Sequence, residues 1–328
     1  MSVETDFKKE LAEDFKDLEE RIGAPHLRQR LSIEVLHASE VFGRHGQNFF
    51  HIENLEILHS LIRLVLKGTG AYSWGRRNFK NIRIVSNEVH LPRLPAAFDG
   101  FTICQLSDLH LDLDEDFADT VIEKVKDLRY DRCVVTGDFR SKTHGPSADA
   151  LRLTAKIIPY LKSSPLGILG NHDFIEMVPG LEDAGLRILL NETTSIEKDG
   201  EALFIAGIDD PHFYETDNIQ KVRAAIPMGC FSLLLAHSPE VYRKAHASGF
   251  DFMLSGHTHG GQICLPGGIP IIHNGKCPRR MIRGAWSHHN LQGYTSPGTG
   301  SCGVPARFFC PPEITLHTLK RGRSSEEV

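Results

Sequence analysis

The sequence predicts an α/β fold with buried, largely parallel sheets, preceded by a helical extension. Three observations carry that prediction. From about residue 81 onward, short apolar runs ending in Gly, Ser, Asp or His alternate with helical stretches, the pattern of strands laid down with crossover helices. Many of those runs are apolar throughout, as strands covered on both faces are. Residues 1–80 instead show helical spacing. A chain of 328 residues, 41% hydrophobic and 24% charged, has room for one large domain plus an appendage.

In the extension, Phe7, Leu11, Phe15 and Leu18 recur at helical spacing among charges, and a second pattern runs through Leu31, Val35 and Leu36. A third segment, "NLEILHSLIRLVLKG", puts Leu58, Leu61, Ile62 and Val65 on one face, with Gly68 and Gly70 as its stop. Tyr72, Trp74, Arg76, Arg77 and Lys80 follow. An amphipathic helix with aromatic and basic residues suits peripheral membrane contact through residues 55–80. It equally suits a helix packed on the following domain with its basic groups solvated.

The start of the chain lacks the apolar core of a signal peptide, and no apolar stretch is long enough to span a bilayer. The sequence therefore predicts a cytoplasmic protein, with any membrane contact peripheral, at the inner membrane. Seven cysteines without a C-x-x-C pair predict reduced, mostly buried thiols rather than a disulfide or zinc-ribbon framework.

The predicted strands are "NIRIVSNEVHL", "FTICQLS", "RCVVTG", "PLGILG", "EALFIAGI", "FSLLLAH" and "DFMLSG"; "FADTVIEKVKDL" and "ADALRLTAKIIPYL" read as helices between them. The domain spans 81–320, the helical extension 1–80, and 321–328 reads as a flexible tail. A net charge of −5 leaves no basic footprint for long nucleic acid.

Five of these strands end in Asp, Asn or His. "ICQLSDLHLD" brings Asp108 and His110, "CVVTGDFR" Asp138, and "LGILGNHDF" Asn171, His172 and Asp173. "LLLAHSPE" brings His237, and "FMLSGHTHGG" His257 and His259. Singly, each also reads as a turn residue, a helix cap or a core histidine. Together they have a meeting place, because the carboxyl ends of strands in open α/β sheets converge on one edge. Oxygen and imidazole donors suit Mn, Fe, Zn or Mg. Seven donors are too many for one ion but suit two ions sharing a carboxylate, a device for phosphoryl transfer.

The ordered blocks "SDLH", "TGDF", "LGNHD", "AHSP" and "SGHTH" resemble those of the calcineurin-like metallophosphoesterase superfamily, over about residues 82–320. The resemblance implies a four-layer α/β/β/α sandwich with two mixed sheets. It implies two divalent ions, Mn first among the candidates. One would be held by Asp108, His110, Asp138 and His259, and the other by Asp138, Asn171, His237 and His257. It further implies in-line attack by a hydroxide bridging the ions, with His172 contacting the phosphate and Asp173 orienting His172.

One position departs from the pattern. Many relatives carry an acid three residues after the G-D aspartate, where this chain has Ser141. Arg140 and His144 place basic groups there and read either as substrate contacts or as parts of a solvated loop. The segments "LPRLPAAFDGFTICQLSDLHLD", "GHTHGGQICLP" and "GTGSCGVPARFFCPPEITLHTL" resemble bacterial phosphodiesterases of the YkuE and YaeI type.

The implied reaction is hydrolysis of a phosphodiester or pyrophosphate in a small phosphodiester, nucleotide or lipid-linked substrate. Alternatives are a UDP-2,3-diacylglucosamine pyrophosphatase of lipid A synthesis, a nuclease, or an inactive binding protein on the same fold.

Overall fold

Why each predicted run becomes a strand is plain from where its side chains go. A computed structural model describes residues 15–42, 56–272 and 274–322. Phe7, Leu11, the side chain of Leu58 and the end of the predicted tail lie outside the described residues. All seven predicted strands form, as do both helices, α5 (Phe117–Val125) and α6 (Ala148–Ile157).

The strands build two six-stranded sheets. The first contains β1 (Arg83–Leu91), β2 (Thr102–Leu106), β3 (Arg132–Thr136), β4 (Leu166–Ile168), β5 (Arg187–Ile188) and β14 (Glu313–Arg321), in the order β1-β14-β2-β3-β4-β5. The second contains β6 (Glu192–Lys198), β7 (Glu201–Gly207), β8 (Ser232–Leu235), β9 (Phe252–Ser255), β12 (Gly284–His288) and β13 (Leu291–Thr295), in the order β12-β13-β9-β8-β7-β6.

Both sheets are mixed: β2, β3, β4 and β5 run parallel, while β14 is antiparallel to β2. In the second, β13, β9, β8 and β7 run parallel, with β12 and β6 antiparallel at the edges.

Three apolar layers define a four-layer α/β/β/α sandwich. Between the sheets, Ile103, Val134 and Ile168 of the first meet Leu203, Leu233 and Leu254 of the second. Over the outer face of the first sheet, Phe117, Val121 and Leu153 pack with α7 (Met177–Asp183) through Val178 and Leu181. Over the second, α8 (Ile219–Ala224) and α9 (Tyr242–Ala247) bring Val222 and Ala245 against Leu234 and Met253. The central strands are covered on both faces, which explains their apolar runs.

The extension is joined to this core. Helix α1 covers residues 15–22, and Leu18 and Ile22 enter the same layer as Phe117. In α2 (Ala24–Phe42), Val35 and Leu36 are exposed, contrary to the apolar pattern, while Leu27, Arg30 and Glu34 are buried. Ion pairing reverses the sequence reading here. The Arg30 guanidinium pairs with Glu34 at 3.0 Å, sits over the Tyr214 ring at 3.1 Å and donates to the Asp173 carbonyl at 2.8 Å.

In α3 (Glu56–Gly68), Ile62 and Leu66 pack on Val304, Ala306 and Phe308, but Leu61, Leu64 and Val65 are left exposed. Helix α4 (Tyr72–Lys80) buries Phe79 against Phe117, and its Arg76 pairs with Asp114. Among the described residues no helix is long and apolar enough to cross a membrane. All seven cysteines are free.

Glu34 gives this junction a pH dependence. Burial pushes its carboxyl up to about 7, against the pull of Arg30. The folded chain thus binds that proton more tightly than the unfolded one. The associated stability is complete below the ordinary value of 4.5 and is lost as pH rises through about 7. Glu34→Gln should flatten the decline of melting temperature between about pH 5 and about pH 8. Parallel wild-type and variant curves in thermal melts of the metal-free protein would contradict this.

Candidate metal centre

Parallel pairing carries the ends of β2, β3 and β4 to one edge of the first sheet, and β8 and β9 end beside them in the second. Gln105 Nε2 ties the two sheets at this point, donating to the Ser255 carbonyl at 2.9 Å. Past each strand the chain turns sharply. Asp108, His110, Asp138, His257 and His259 all adopt left-handed backbone, with φ of 52°, 44°, 60°, 69° and 50°. Non-glycine residues rarely do so, and such strain persists where surrounding bonds enforce it.

Those bonds are present. Asp173 accepts from the amides of Asp138 at 2.8 Å, Phe139 at 2.9 Å and Gly170 at 2.9 Å. The Asp108 carboxylate accepts from the His257 amide at 3.0 Å and the Ser107 hydroxyl at 2.6 Å. Gly137, with φ 88°, leaves room for this approach: a Cβ there would lie 2.7 Å from both the Gly170 nitrogen and the His237 ring.

The geometry brings all seven predicted donors together. Ligand atoms of Asp108, His110, Asp138 and His259 lie within 4.8 Å of one another. His110 Nε2 faces His259 Nε2 at 3.2 Å and Asp138 Oδ2 at 3.6 Å. On the other side of Asp138, His237 Nε2 approaches Oδ2 at 3.3 Å. Asn171 Oδ1 meets His237 Nε2 at 2.9 Å and His257 Nδ1 at 2.8 Å. Asp138 is therefore shared by two donor sets. The Nδ1 atoms of His110 and His237 are placed to donate to the carbonyls of Arg140 at 2.6 Å and Thr136 at 2.7 Å. That turns each Nε2 toward the cluster, the orientation metal-binding imidazoles adopt.

The donor set fits divalent ions. Burial alone would raise the Asp138 carboxyl, but His237, His172 and His110 hold it well below the carboxylate range. Burial would depress His237, yet Asp138 and Asp108 raise it well above an ordinary imidazole. Burial also pushes Asp108 up to about 6. His257 and His259 are driven well below their ordinary value, by burial and then by His212 and His110 respectively, so both are neutral. Buried carboxylates beside neutral imidazoles form a site short of positive charge, which a cation supplies.

The fold changes three of the roles expected from the sequence. Asp173 spends its carboxylate on main-chain amides rather than on the His172 ring, whose buried Nδ1 has no hydrogen-bond partner. It shapes the loops that carry Asp138 and Asn171. Arg140 is buried, its guanidinium packed on the Phe174 ring and donating to the His144 and Gly145 carbonyls. Its Nε and Nη1 are buried without a hydrogen-bond partner among the described residues. His144 lines a separate cavity of about 270 Å³ with Arg63 and Lys142. His172 does face the cluster, with Nε2 3.9 Å from Asp138 Oδ2.

The sequence reading missed three neighbours. Cys302 Sγ lies 3.9 Å from His172 Nε2 and within ligand distance of the His110–His259 pair. The His212 ring centroid is 4.1 Å from that of His257, and its Nδ1 contacts Glu240 at 3.0 Å. Arg307 is fully buried and reaches His259 Nδ1 at 3.3 Å. Cys302 and Arg307 sit in the loop between β13 and β14. Both lie too far past β13 for the strand-end rule to find them.

A cavity of about 490 Å³ opens from the cluster, bordered by Asp138, His172, His257, His259 and Cys302.

The calcineurin-like phosphoesterase profile matches residues 101–261, a span that contains all seven donors. YkoQ of Bacillus subtilis (strain 168), an uncharacterized metallophosphoesterase, is 31% identical over 255 residues, covering 74% of this chain and 92% of that protein. YkuE of the same organism, likewise an uncharacterized metallophosphoesterase, is 32% identical over 270 residues, covering 78% and 92%. The metallophosphoesterase Cj0846 of Campylobacter jejuni is 27% identical over 282 residues, covering 81% and 71%. With this similarity running nearly the length of the first two relatives, the chain belongs to the calcineurin-like phosphoesterase family, on the branch that includes YkuE.

Proposed function

We propose that the protein hydrolyses a phosphodiester or pyrophosphate bond at a centre of two divalent ions. The observation that carries this reading is the sharing of Asp138 between two donor sets, one with Asp108, His110 and His259, the other with Asn171, His237 and His257. When bound, the ions supply an activated water and positive charge at the phosphate oxygens. Mn is the first candidate among them, with Fe, Zn and Mg also compatible with the donors.

The chain's own groups supply the rest. Asp138 keeps its negative charge between the two sets. His172 lines the cavity with Nε2 close to Asp138, a position from which an imidazole can hand a proton to a leaving oxygen. Asp173 holds the loops of Asp138 and Asn171 in register through its amide bonds. The narrower alternative, a UDP-2,3-diacylglucosamine pyrophosphatase, is not favoured, because none of the relatives' names carries a substrate.

Purified protein should contain about two metal ions per chain and turn over bis-p-nitrophenyl phosphate when Mn is added. Asp138→Asn should lower both metal content and turnover, the latter by at least about 10³-fold. No metal and no turnover under any divalent ion would leave the fold as a binding protein. His172→Ala should lower kcat by about 10²–10⁴-fold, the usual span for a general acid or base, with metal content near wild type. Loss of the metals from that variant would make His172 a metal-site residue and remove it from proton transfer.

Metal uptake should also release protons. His237 holds a proton at neutral pH in the metal-free chain and must lose it to coordinate. Apparent affinity should therefore rise as pH increases above neutrality. Titration calorimetry in buffers of different ionisation heat reads the proton count directly, and a count of zero would contradict the His237 assignment.

A further inference from the structure

The cavity beside the metal centre has an unusual lining for a site that binds an anionic phosphoester. One end is formed by His172, His257 and His259. Away from that end the lining is largely aliphatic, with Leu61, Val65 and Leu66 of α3 joined by Ile271, Ile272 and Val304. Four of these remain about half exposed, with Leu61 and Val65 at 54%, Ile271 at 58% and Ile272 at 54%. A small hydrophilic phosphoester gains nothing from such walls. Contiguous exposed apolar surface on a globular fold ordinarily marks a binding surface.

We propose that this chamber holds the hydrocarbon tail of an amphiphilic phosphoester whose head lies on the metal centre. The inference rests on the hydrolase reading above and adds its substrate class. Two features select this occupant. The chamber is continuous with the metal donors, so one molecule spans an anionic head site and an apolar wall. The helix that forms the wall is also cationic where it is solvated. Arg63 and Lys67 follow its single acid, Glu56, at the far end of α3, and Arg63 faces the neighbouring cavity with Lys142. Positive charge around an aliphatic wall complements an anionic amphiphile.

The exposed positions of α3 fit the same picture. Its turn-to-turn spacing sends Ile62 and Leu66 inward to Val304, Ala306 and Phe308 and leaves Leu61 and Val65, one residue earlier in each case, beside the opening. The short ribbon of β10 (Cys264–Leu265) and β11 (Ile269–Pro270) delivers Ile271 and Ile272 to the same cavity. The extension and the loop after the last two histidines thus build one receptacle.

The test is a series of n-alkylphosphonates, from ethyl to decyl, titrated calorimetrically into the metal-loaded protein below their micelle concentrations. Affinity should rise by about fourfold per added methylene, the equivalent of ~0.8 kcal/mol per buried CH2, until the chamber is filled. Val65→Glu and Ile272→Glu should flatten the series while metal content stays near wild type, and Val65→Ala should flatten it in part. A flat wild-type series, or a slope that survives both glutamates, would overturn the proposal. A rising series without diester turnover would retain the tail site and overturn the hydrolase reading instead. The same tail can be met in a bilayer or as free amphiphile. Co-sedimentation with phosphatidylglycerol vesicles, lost in Val65→Glu, identifies the bilayer as the source; no sedimentation identifies the free molecule.

Discussion

Everything at the centre of this protein depends on keeping Asp138 charged and buried. Its carboxylate is withdrawn from water and faces three imidazoles, those of His110, His172 and His237. An isolated buried carboxylate would be far too costly to retain. Here its second oxygen accepts the His172 amide at 2.9 Å, and two donor sets stand ready to share a cation with the first. The strained backbone follows from this requirement. The chain doubles back after β2, β3 and β9 through left-handed backbone at Asp108, His110, Asp138, His257 and His259. Amide bonds to Asp173 and Asp108 hold those turns closed.

The donors are legible in the sequence because each lies within five residues after an apolar run, and strand ends in such folds gather at one edge. The central strands among the seven predicted are legible because burial on both faces makes them apolar segments, whereas β1, a largely exposed edge strand, reads by alternation. What is not legible is either short, mixed or dictated by partners. Strand β14 alternates buried and half-buried residues and includes His317 and Thr315, so it carries no apolar run. Arg140 reads as a substrate group by position, but it is fully buried, with its guanidinium over Phe174 and its Nη2 donating to two carbonyls. No pattern in one sequence reports such long-range contacts.

The same limit governs α2. Its apolar residues Val35 and Leu36 face outward because Arg30 and Glu34 take the inner side. Charged residues win that position through partners that are distant in sequence: Asp209 and Tyr214 from the loop after β7, and the Asp173 carbonyl and Ile175 amide from the loop after β4. Helical periodicity identifies a helix but not its inward face when the buried surface is ionic.

These contacts change the standing of the extension. Through Arg30 and Glu34, α2 grips residues 173 and 175, the stretch that directly follows Asn171 and His172. From the opposite side, α3 forms a wall of the cavity that opens on His172. One helix supports the metal loops from behind, and another shapes what can approach them from the front. Neither contributes a donor. Substitutions on the exposed face of α3 can therefore alter the substrate while the metal chemistry stays constant, whereas substitutions at the inner face of α2 disturb the loops on which that chemistry stands. The two helices lie in one helical region of the sequence, yet physically they answer to different constraints, and the cavity lies where those constraints meet.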